Sequence, residues 1–299
     1  MSITATGSPP GGLPKVSARR RAADLTVRVL VCAAFVLAVI PLASVLWMVL
    51  TRGLARLDLT FLTYSMNGLS SGDEGGGANH AIVGTLQQVG LSTAMAVPLG
   101  VLTGIYLVEY GDGKRLARVI TFFVDVMTGI PSIVAGLFVM AFWLVALGFE
   151  YSGFAGSLAL AILMLPTVVR ATEEMLKLVP GDLREASYAL GVPRWRTVCF
   201  VVLPTALTGI VTGVMLAVAR VMGETAPLLL LIFVTDAINA NPFAGPQGSL
   251  PTFIWYQAGD PNPQAIERAW AAALTLILLI MLLNLGARLL ARLRKPVSR

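Results

Sequence analysis

Six long stretches of the chain contain no Asp, Glu, Lys or Arg and consist mainly of apolar residues. They cover residues 29–50, 81–108, 126–149, 151–169, 197–219 and 269–287. A helix needs roughly 20 apolar residues to cross a hydrocarbon core of ~30 Å, because it rises 1.5 Å per residue. The pattern therefore predicts an all-α integral membrane protein with six transmembrane helices.

The boundaries of these spans follow from the charges that flank them. We expect spans at about 27–50, 82–108, 119–147, 152–170, 200–234 and 268–290 within a transmembrane domain that covers 19–299. The fifth span is extended because residues 225–235 are again uncharged and apolar, which places Arg220 and Glu224 inside a membrane helix. Residues 1–18 are rich in Gly, Pro, Ser and Thr, a composition that predicts a disordered cytoplasmic tail.

Glycine and proline inside the spans indicate how the helices pack and bend. The spacings Gly100-x-x-x-Gly104 and Gly209-x-x-x-Gly213 present small faces that let helices approach closely. Prolines within spans are expected to kink helices at a tolerable cost. They are Pro41, Pro98, Pro131 and Pro166.

Basic residues gather on one side of the predicted topology. They precede the first span, follow the second, lie between the fourth and fifth, and close the chain, whereas the opposite loops hold only Arg52 and Arg56. The positive-inside rule then places both termini in the cytoplasm. Because the basic residues lie at span ends, the net charge of +6 predicts contact with anionic membrane lipid and not with nucleic acid.

Residues that could carry metal or catalytic chemistry are sparse. Cys32 and Cys199 are far apart in sequence, and the single histidine, His80, has no neighbouring ligand at metal-binding spacing; it is expected to be a solvated residue of the first external loop. The spans hold no cluster of nucleophile, base and metal ligands, which argues against a membrane-embedded enzyme. We therefore predict no catalytic residue and no metal site.

The cytoplasmic loop at about 171–199 is polar but contains a helix signal. Asp182 is a plausible N-cap for a helix over 183–190, and Gly191 occupies a C-cap position. Such a short helix is consistent either with an interfacial connector or with a lever pressed by another protein.

The residues of this loop also match a known motif. Glu185-Ala186-Ser187-x-x-x-Gly191, followed after nine residues by Val201-x-Leu203-Pro204, resembles the EAA motif of ABC importer permeases, with Ser187 in place of the second Ala and Val201 in place of Ile. The resemblance implies a type I importer permease fold and a coupling helix that docks on a separate cytoplasmic ATPase. Since the chain lacks a G-x-x-x-x-G-K-[ST] phosphate loop, ATP is expected to be used by that partner, and no cofactor by this chain.

The charged pair in the fifth span needs an explanation. An arginine at membrane depth costs at least ~2.5–3.5 kcal/mol on insertion scales, so Arg220 should face a partner or a watery path. Glu224, four residues later, would lie one helical turn along the same face and accept its hydrogen bonds. The pair is either a structural ion pair or part of an anion site, and the planar fork of Arg suits an oxyanion.

Several segments resemble one family in particular. The stretch 220–230, Gly129-Ile-Pro-Ser-Ile-Val134, residues 166–174 and Leu250-Pro-Thr-Phe-Ile254 resemble the A-type permease of bacterial phosphate importers, the PstA family. The resemblance implies location in the bacterial cytoplasmic membrane, a heterodimer with a C-type permease, two ATP-binding subunits and an extracytoplasmic phosphate-binding protein. The functional arginines of the family fall on Arg170 and Arg220, although a basic residue at the position of Arg170 is also what the positive-inside rule predicts.

Two other functions remain open on the residues alone. An arginine site does not name its anion, so a permease for sulfate or molybdate is an alternative to one for phosphate. A passive anion channel is a second alternative, although a channel has no need of a coupling motif. Co-purification of a cytoplasmic ATPase separates an importer from a channel.

Overall fold

The computed structural model describes residues 17–293, apart from the side chains of residues 18 and 290–293. All regular structure in this range is helical. Except for its last two residues, the predicted tail at 1–18 lies outside the described residues, as do the basic residues Arg294, Lys295 and Arg299.

The α-helices follow the apolar stretches and add short helices between them. They are α1 Ala18–Arg56, α2 Leu59–Thr63, α3 Asn79–Ile105, α4 Arg115–Thr128, α5 Ser132–Val139, α6 Gly153–Lys177, α7 Gly181–Ala189, α8 Arg194–Thr197, α9 Leu203–Met222, α10 Ala226–Leu231, α11 Leu250–Ala258 and α12 Pro263–Leu293. The described residues also form three π-helical segments. Tyr106–Tyr110 continues α3, Met140–Ala146 continues α5, and Val198–Val202 leads into α9.

Five continuous helical segments among the described residues are long and apolar enough to cross a membrane. The sixth apolar stretch is different, because α4 and the helix that begins with α5 meet at an angle of 108°. Counting this bent pair as one span gives the six that the sequence predicts. Pro131 stands directly before α5 with φ −59° and ψ 139°; it has no N–H to continue α4, so the third predicted span is a broken helix.

The chain divides into two units, Met1–Met48 and Val49–Arg299. In the described part of the first unit, the chain forms most of α1. The most apolar 18-residue window of the span Arg19–Arg56 has no buried residue. An apolar helix surface of this kind is suited to contact with lipid or with another membrane chain.

In the second unit, α3 packs closely on α6 through the first glycine pair. A Cβ on Gly100 would come within 2.7 Å of Val168, and one on Gly104 within 2.7 Å of Thr172. Real Cβ atoms do not approach so closely, so only glycine permits this helix spacing. The packing predicted from Gly100-x-x-x-Gly104 is confirmed.

The second glycine pair brings α9 against another face of the same helix. A Cβ on Gly213 would come within 2.4 Å of Ala171, and one on Gly209 within 2.2 Å of Met175. The residue numbers of the glycines increase along α9 while those of the α6 residues that they face decrease, so the two helices are antiparallel. The α6 helix therefore lies between α3 and α9 and shares with them the largest buried apolar cluster.

Candidate substrate path and coupling site

The helix that carries Arg220 ends two residues after it. Since α9 stops at Met222 and α10 begins at Ala226, Gly223, Glu224 and Thr225 form a break within the fifth predicted span. Broken helices at membrane depth occur where the backbone lines a cavity or is buried in protein. The break therefore marks this part of the chain as a candidate for the substrate path.

The predicted contact between Arg220 and Glu224 is not formed. Among residues 17–293, no hydrogen bond or ion pair joins the two side chains. The prediction that Glu224 lies one turn along the same helix is wrong, because the i,i+4 geometry requires an unbroken helix and α9 ends at Met222. Arg220 is exposed and Glu224 is partly buried.

The exposed face of Arg220 follows from its position on α9. Ala217, Val218 and Val221 are buried in the cluster shared with α3 and α6, so Arg220 points away from these helices. A cation also suits the last turn of α9, where the carbonyl end of the helix dipole is negative. The guanidinium is thus available to an anion or to another chain.

Arg170, the second predicted arginine, belongs to an ion-pair network. It donates hydrogen bonds to Asp125 of α4 and, at 2.6 Å, to Glu173 on its own helix. Lys177 also donates to Glu173, at 2.6 Å. The network ties α4 to the end of α6, and neither Asp125 nor Glu173 is among the site residues predicted from the sequence.

The two predicted arginines, Arg170 on α6 and Arg220 on α9, lie at different heights along these antiparallel helices. Gly213 packs on Ala171, so Arg170 is level with Val214 of α9. Arg220 lies six residues further along α9, which is about 9 Å along the axis at 1.5 Å per residue. The structure therefore places them as two successive positions and not as one cluster.

The helix predicted at 183–190 exists as α7, with one correction at its start. The helix begins at Gly181 after Pro180, so Asp182 lies in the first turn and is not the N-cap. Gly191 follows the helix with φ +75°, the left-handed conformation that favours glycine after a helix end. The predicted place of Gly191 at the C-terminal end of this helix is confirmed.

The motif residues of α7 fall on two faces. Glu185 and Ala186 are exposed, whereas Ser187 is buried and shares a 2.8 Å hydrogen bond with Thr197 of α8. Leu190 is also exposed, with 83% of its surface accessible. One face of α7 is thus attached to the chain and the other presents an apolar surface.

Sequence reasoning missed the residue that attaches α7 to the spans. Glu109 is 3% exposed and accepts hydrogen bonds from Arg184 of α7 at 2.8 and 3.1 Å. In the sequence, Glu109 only marks the end of an apolar run. Its burial depends on a partner 75 positions away, which no local pattern indicates.

Arg268 is a second buried charge that the sequence did not single out. It is fully buried on α12 and donates to Gln257 Oε1 at 3.2 Å, to the carbonyl of Asp73 at 2.9 Å and to the carbonyl of Ser71. A buried guanidinium needs such partners. It fastens the Gly-rich loop before α3 to α11 and α12.

His80 differs from its expected state. It is the second residue of α3, is 2% exposed, and packs edge-on against Phe253 of α11. The expectation of a solvated loop histidine is therefore wrong. Its Nε2 lies 3.6 Å from Asp236, and burial raises the pKa of the Asp236 carboxyl.

Comparison with known proteins gives the family. Residues 96–296 match the family described as "Binding-protein-dependent transport system inner membrane component". The chain is 47% identical over 293 residues to the phosphate transport system permease protein PstA 1 of Mycobacterium tuberculosis, which covers 97% of this chain and 95% of the relative. The chain belongs to the PstA family. Its Yersinia pestis relative, named phosphate transport system permease protein PstA, is 39% identical over 92% of both chains.

Solved structures show the fold of this PstA family member. The chain superimposes with a TM-score of 0.60 on a chain of the inward-facing MetNI methionine ABC transporter, at 24% identity, covering 74% of this chain and 96% of the other. A chain of a bacterial alginate ABC transporter gives a TM-score of 0.62 at 14% identity, covering 94% and 99%. The predicted ABC importer permease fold is confirmed, and PstA membership makes the chain a multi-pass inner membrane component.

Proposed function

We propose that this chain is the membrane-spanning A-type permease subunit of an ATP-driven importer of inorganic phosphate. With a C-type permease it forms a heterodimer in which each chain supplies half of the translocation path. The names and high coverage of the PstA relatives support this assignment. An importer is favoured over a passive anion channel because the matched family is that of binding-protein-dependent transport components.

The observation that carries the proposal is the exposed Arg220 at the end of a broken membrane helix. The surface of α9 that bears it has no covering helix from the second unit, and its guanidinium has no ion-pair or hydrogen-bond partner within residues 17–293. A cation at membrane depth persists where it faces a watery path or a partner. In the heterodimer this face closes the path, and Arg220 binds the phosphate oxygens bidentately.

Glu224 and Arg170 complete this chain's share of the path. Glu224, in the break beside Arg220, moderates the positive field so that the anion binds weakly enough to leave. Arg170 meets the anion at a second level, about 9 Å along the axis from Arg220. Phosphate would displace one of the carboxylates that Arg170 contacts in this structure.

The coupling helix α7 docks on an ATP-binding subunit. Its free face combines the motif residues Glu185 and Ala186 with the exposed side chains of Leu183, Tyr188 and Leu190. An exposed apolar surface on a polar loop indicates a protein interface. Two such ATPases would serve the heterodimer, and ATP is hydrolysed by them and not by this chain.

The topology follows the positive-inside rule, with both termini and α7 in the cytoplasm. The opposite side then carries the segment 236–264, which includes α11. Its exposed large side chains are Ile238, Phe243, Trp255 and Tyr256. We assign this surface to the phosphate-binding protein that delivers the substrate.

Uptake of radiolabelled phosphate at low external concentration tests the proposal. Cells that lack this chain should regain ATP-dependent uptake when the wild-type gene is restored, and excess unlabelled phosphate should abolish the signal while sulfate and molybdate should not. Competition by sulfate or molybdate would identify another oxyanion importer. Uptake that persists without ATP would indicate a channel.

A further inference from the structure

The second membrane span ends in a buried carboxylate that contacts the coupling helix. Glu109 lies in the π-helical segment that continues α3 and is 3% exposed. Its Oε1 accepts hydrogen bonds from Nε of Arg184 at 3.1 Å and from Nη2 at 2.8 Å. The two residues therefore form an ion pair that is largely removed from solvent.

Arg184 joins a third element to this pair. Its Nη1 donates to the carbonyl of Val179 at 2.7 Å, and its Nη2 donates to the carbonyl of Leu176 at 2.9 Å. Carbonyl groups at a helix end lack partners within the helix, so Arg184 caps α6 while it binds Glu109. A single side chain of α7 is thus bonded to both neighbouring spans.

The π-helical turn explains why Glu109 faces this junction. Gly100 and Gly104 lie four residues apart and face Val168 and Thr172 of α6. The next residue on that face of an α-helix would be Val108, but the wider π turn shifts the face by one residue, to Glu109. The backbone irregularity directs the carboxylate toward the end of α6 and away from lipid.

The other attachment of α7 is of a different kind. Ser187 and Thr197 share one hydrogen bond between neutral hydroxyls, which joins α7 to α8 and so to the start of α9. Hydrogen bonds to charged groups are roughly twice as strong as neutral ones. The ion pair is therefore the stronger of these two side-chain attachments.

We propose that Glu109 and Arg184 are positioning residues that make α7, α3 and α6 move as one rigid body during transport. A displacement of α7 by the ATPase is then transmitted through the ion pair to the two spans, and from α6 through its close packing with α9 to the helix that carries Arg220. This inference rests on the proposed function, since it assigns the route by which the ATPase acts on the path. The pair acts through the helices and does not contact the anion.

Paired substitutions separate positioning from simple stability. A single Glu109→Ala change leaves a buried arginine without its carboxylate and will lower the yield of assembled complex. Replacing both members by apolar residues of similar size removes that cost, so Glu109→Met with Arg184→Met should assemble in higher yield than Glu109→Ala, even though it also loses the bonds from Arg184 to the carbonyls of Leu176 and Val179. Asp112→Asn is the matched control, because Asp112 is an exposed carboxylate three residues further on.

The complete importer, reconstituted in proteoliposomes, should be assayed for ATP hydrolysis and phosphate uptake in the same sample. We expect the double variant to keep its ATPase rate but to move about tenfold less phosphate per ATP, a loss within the usual range of coupling between sites. The control should match wild type. A wild-type ratio in the double variant, or a proportional loss of both activities, would overturn the inference.

A distance measurement tests the rigid body without reference to the substrate. Spin labels at Leu99 of α3 and Gly181 of α7, both exposed, should keep one narrow distance in the wild-type complex with and without ATP. The same pair in the double variant should give a broader or shifted distribution. A wild-type distance that changes with ATP would contradict the rigid body, and failure of wild-type phosphate uptake alone would count only against the proposed substrate.

Discussion

Ser187 and Thr197 share a 2.8 Å hydrogen bond between two buried hydroxyl groups, one on α7 and one on α8. Ser187 stands where the EAA motif has its second alanine, so this departure from the motif has a specific partner ten residues away. The hydroxyl pair links α7 directly to the segment that leads into the helix of Arg220.

Ser187→Ala should destabilise this junction more than its small change in size suggests. The variant leaves the fully buried hydroxyl of Thr197 without a partner, which costs about 1–3 kcal/mol. Thermal unfolding of the purified complex should therefore shift to lower temperature. Adding Thr197→Val removes the second hydroxyl and should recover most of the loss; a double variant as unstable as the sum of the two single variants would show that the bond contributes nothing.

Gly191 should tolerate no side chain without cost, although space is available. A Cβ at this position would meet no atom within 4 Å, but φ is +75°, a conformation that costs an L-residue roughly 1–2 kcal/mol. We expect Gly191→Ala to shift the end of α7 and Gly191→Glu to uncouple ATP hydrolysis from uptake in an assembled complex.

Gly181→Ala is the matched control for this change, because Gly181 starts α7, lacks the positive φ and has the same open surroundings. Its coupling should be unchanged. Coupled transport at the wild-type rate in Gly191→Glu would refute the assignment of α7 as the coupling helix.

The role of Arg170 can be separated from that of its ion pair. If Arg170 binds the anion, Arg170→Gln should lower uptake by about tenfold or more, because a hydrogen bond to a charged group contributes ~1.5–3 kcal/mol. Asp125→Asn removes only a solvent-accessible pair, worth at most ~1 kcal/mol, and should lower uptake by less than about fivefold. Equal losses in the two variants, at equal amounts of complex in the membrane, would make Arg170 a structural residue that holds α4 against α6.

The membrane fold could be predicted from the sequence because its signal is local. The length of the charge-free stretches predicted the apolar helices. The glycine spacings correctly indicated that α3 and α9 have faces for close packing, and these faces contact α6 at Val168 and Ala171. The EAA spacing located α7, and the left-handed φ of Gly191 agrees with its predicted place after the helix. Each of these features depends on residues within a few turns of one another.

The contacts of the charged residues could not be predicted in the same way. The spacing of Arg220 and Glu224 suggested an ion pair only because an unbroken helix was assumed, and the helix ends between them. Arg170 and Arg184 pair with Asp125 and Glu109, which lie 45 and 75 positions away. Such partners are determined by how the helices pack. A π-helical turn shifts by one position the residue that occupies a given helix face, and it leaves no periodic signal in the sequence.

The break at 223–225 leaves Glu224 without the predicted ion pair to Arg220. Glu224→Gln removes the negative charge beside Arg220 without removing an ion pair, so the complex should assemble normally. We expect the anion to leave more slowly and maximal uptake to fall, because the positive field is no longer moderated. Unchanged uptake at both low and saturating phosphate would exclude Glu224 from the path.

The role of Arg220 in anion binding is tested most directly by phosphate uptake of Arg220→Ala in cells that lack the native chain, with Arg288→Ala as the control for loss of an exposed arginine from a span. Immunoblots of the membrane fraction should show equal amounts of wild type and of both variants. We expect wild-type uptake in Arg288→Ala and a loss of at least about tenfold in Arg220→Ala, the scale of a charge-assisted hydrogen bond to the anion. Equal uptake by Arg220→Ala and wild type would exclude Arg220 from anion binding and make it a structural residue.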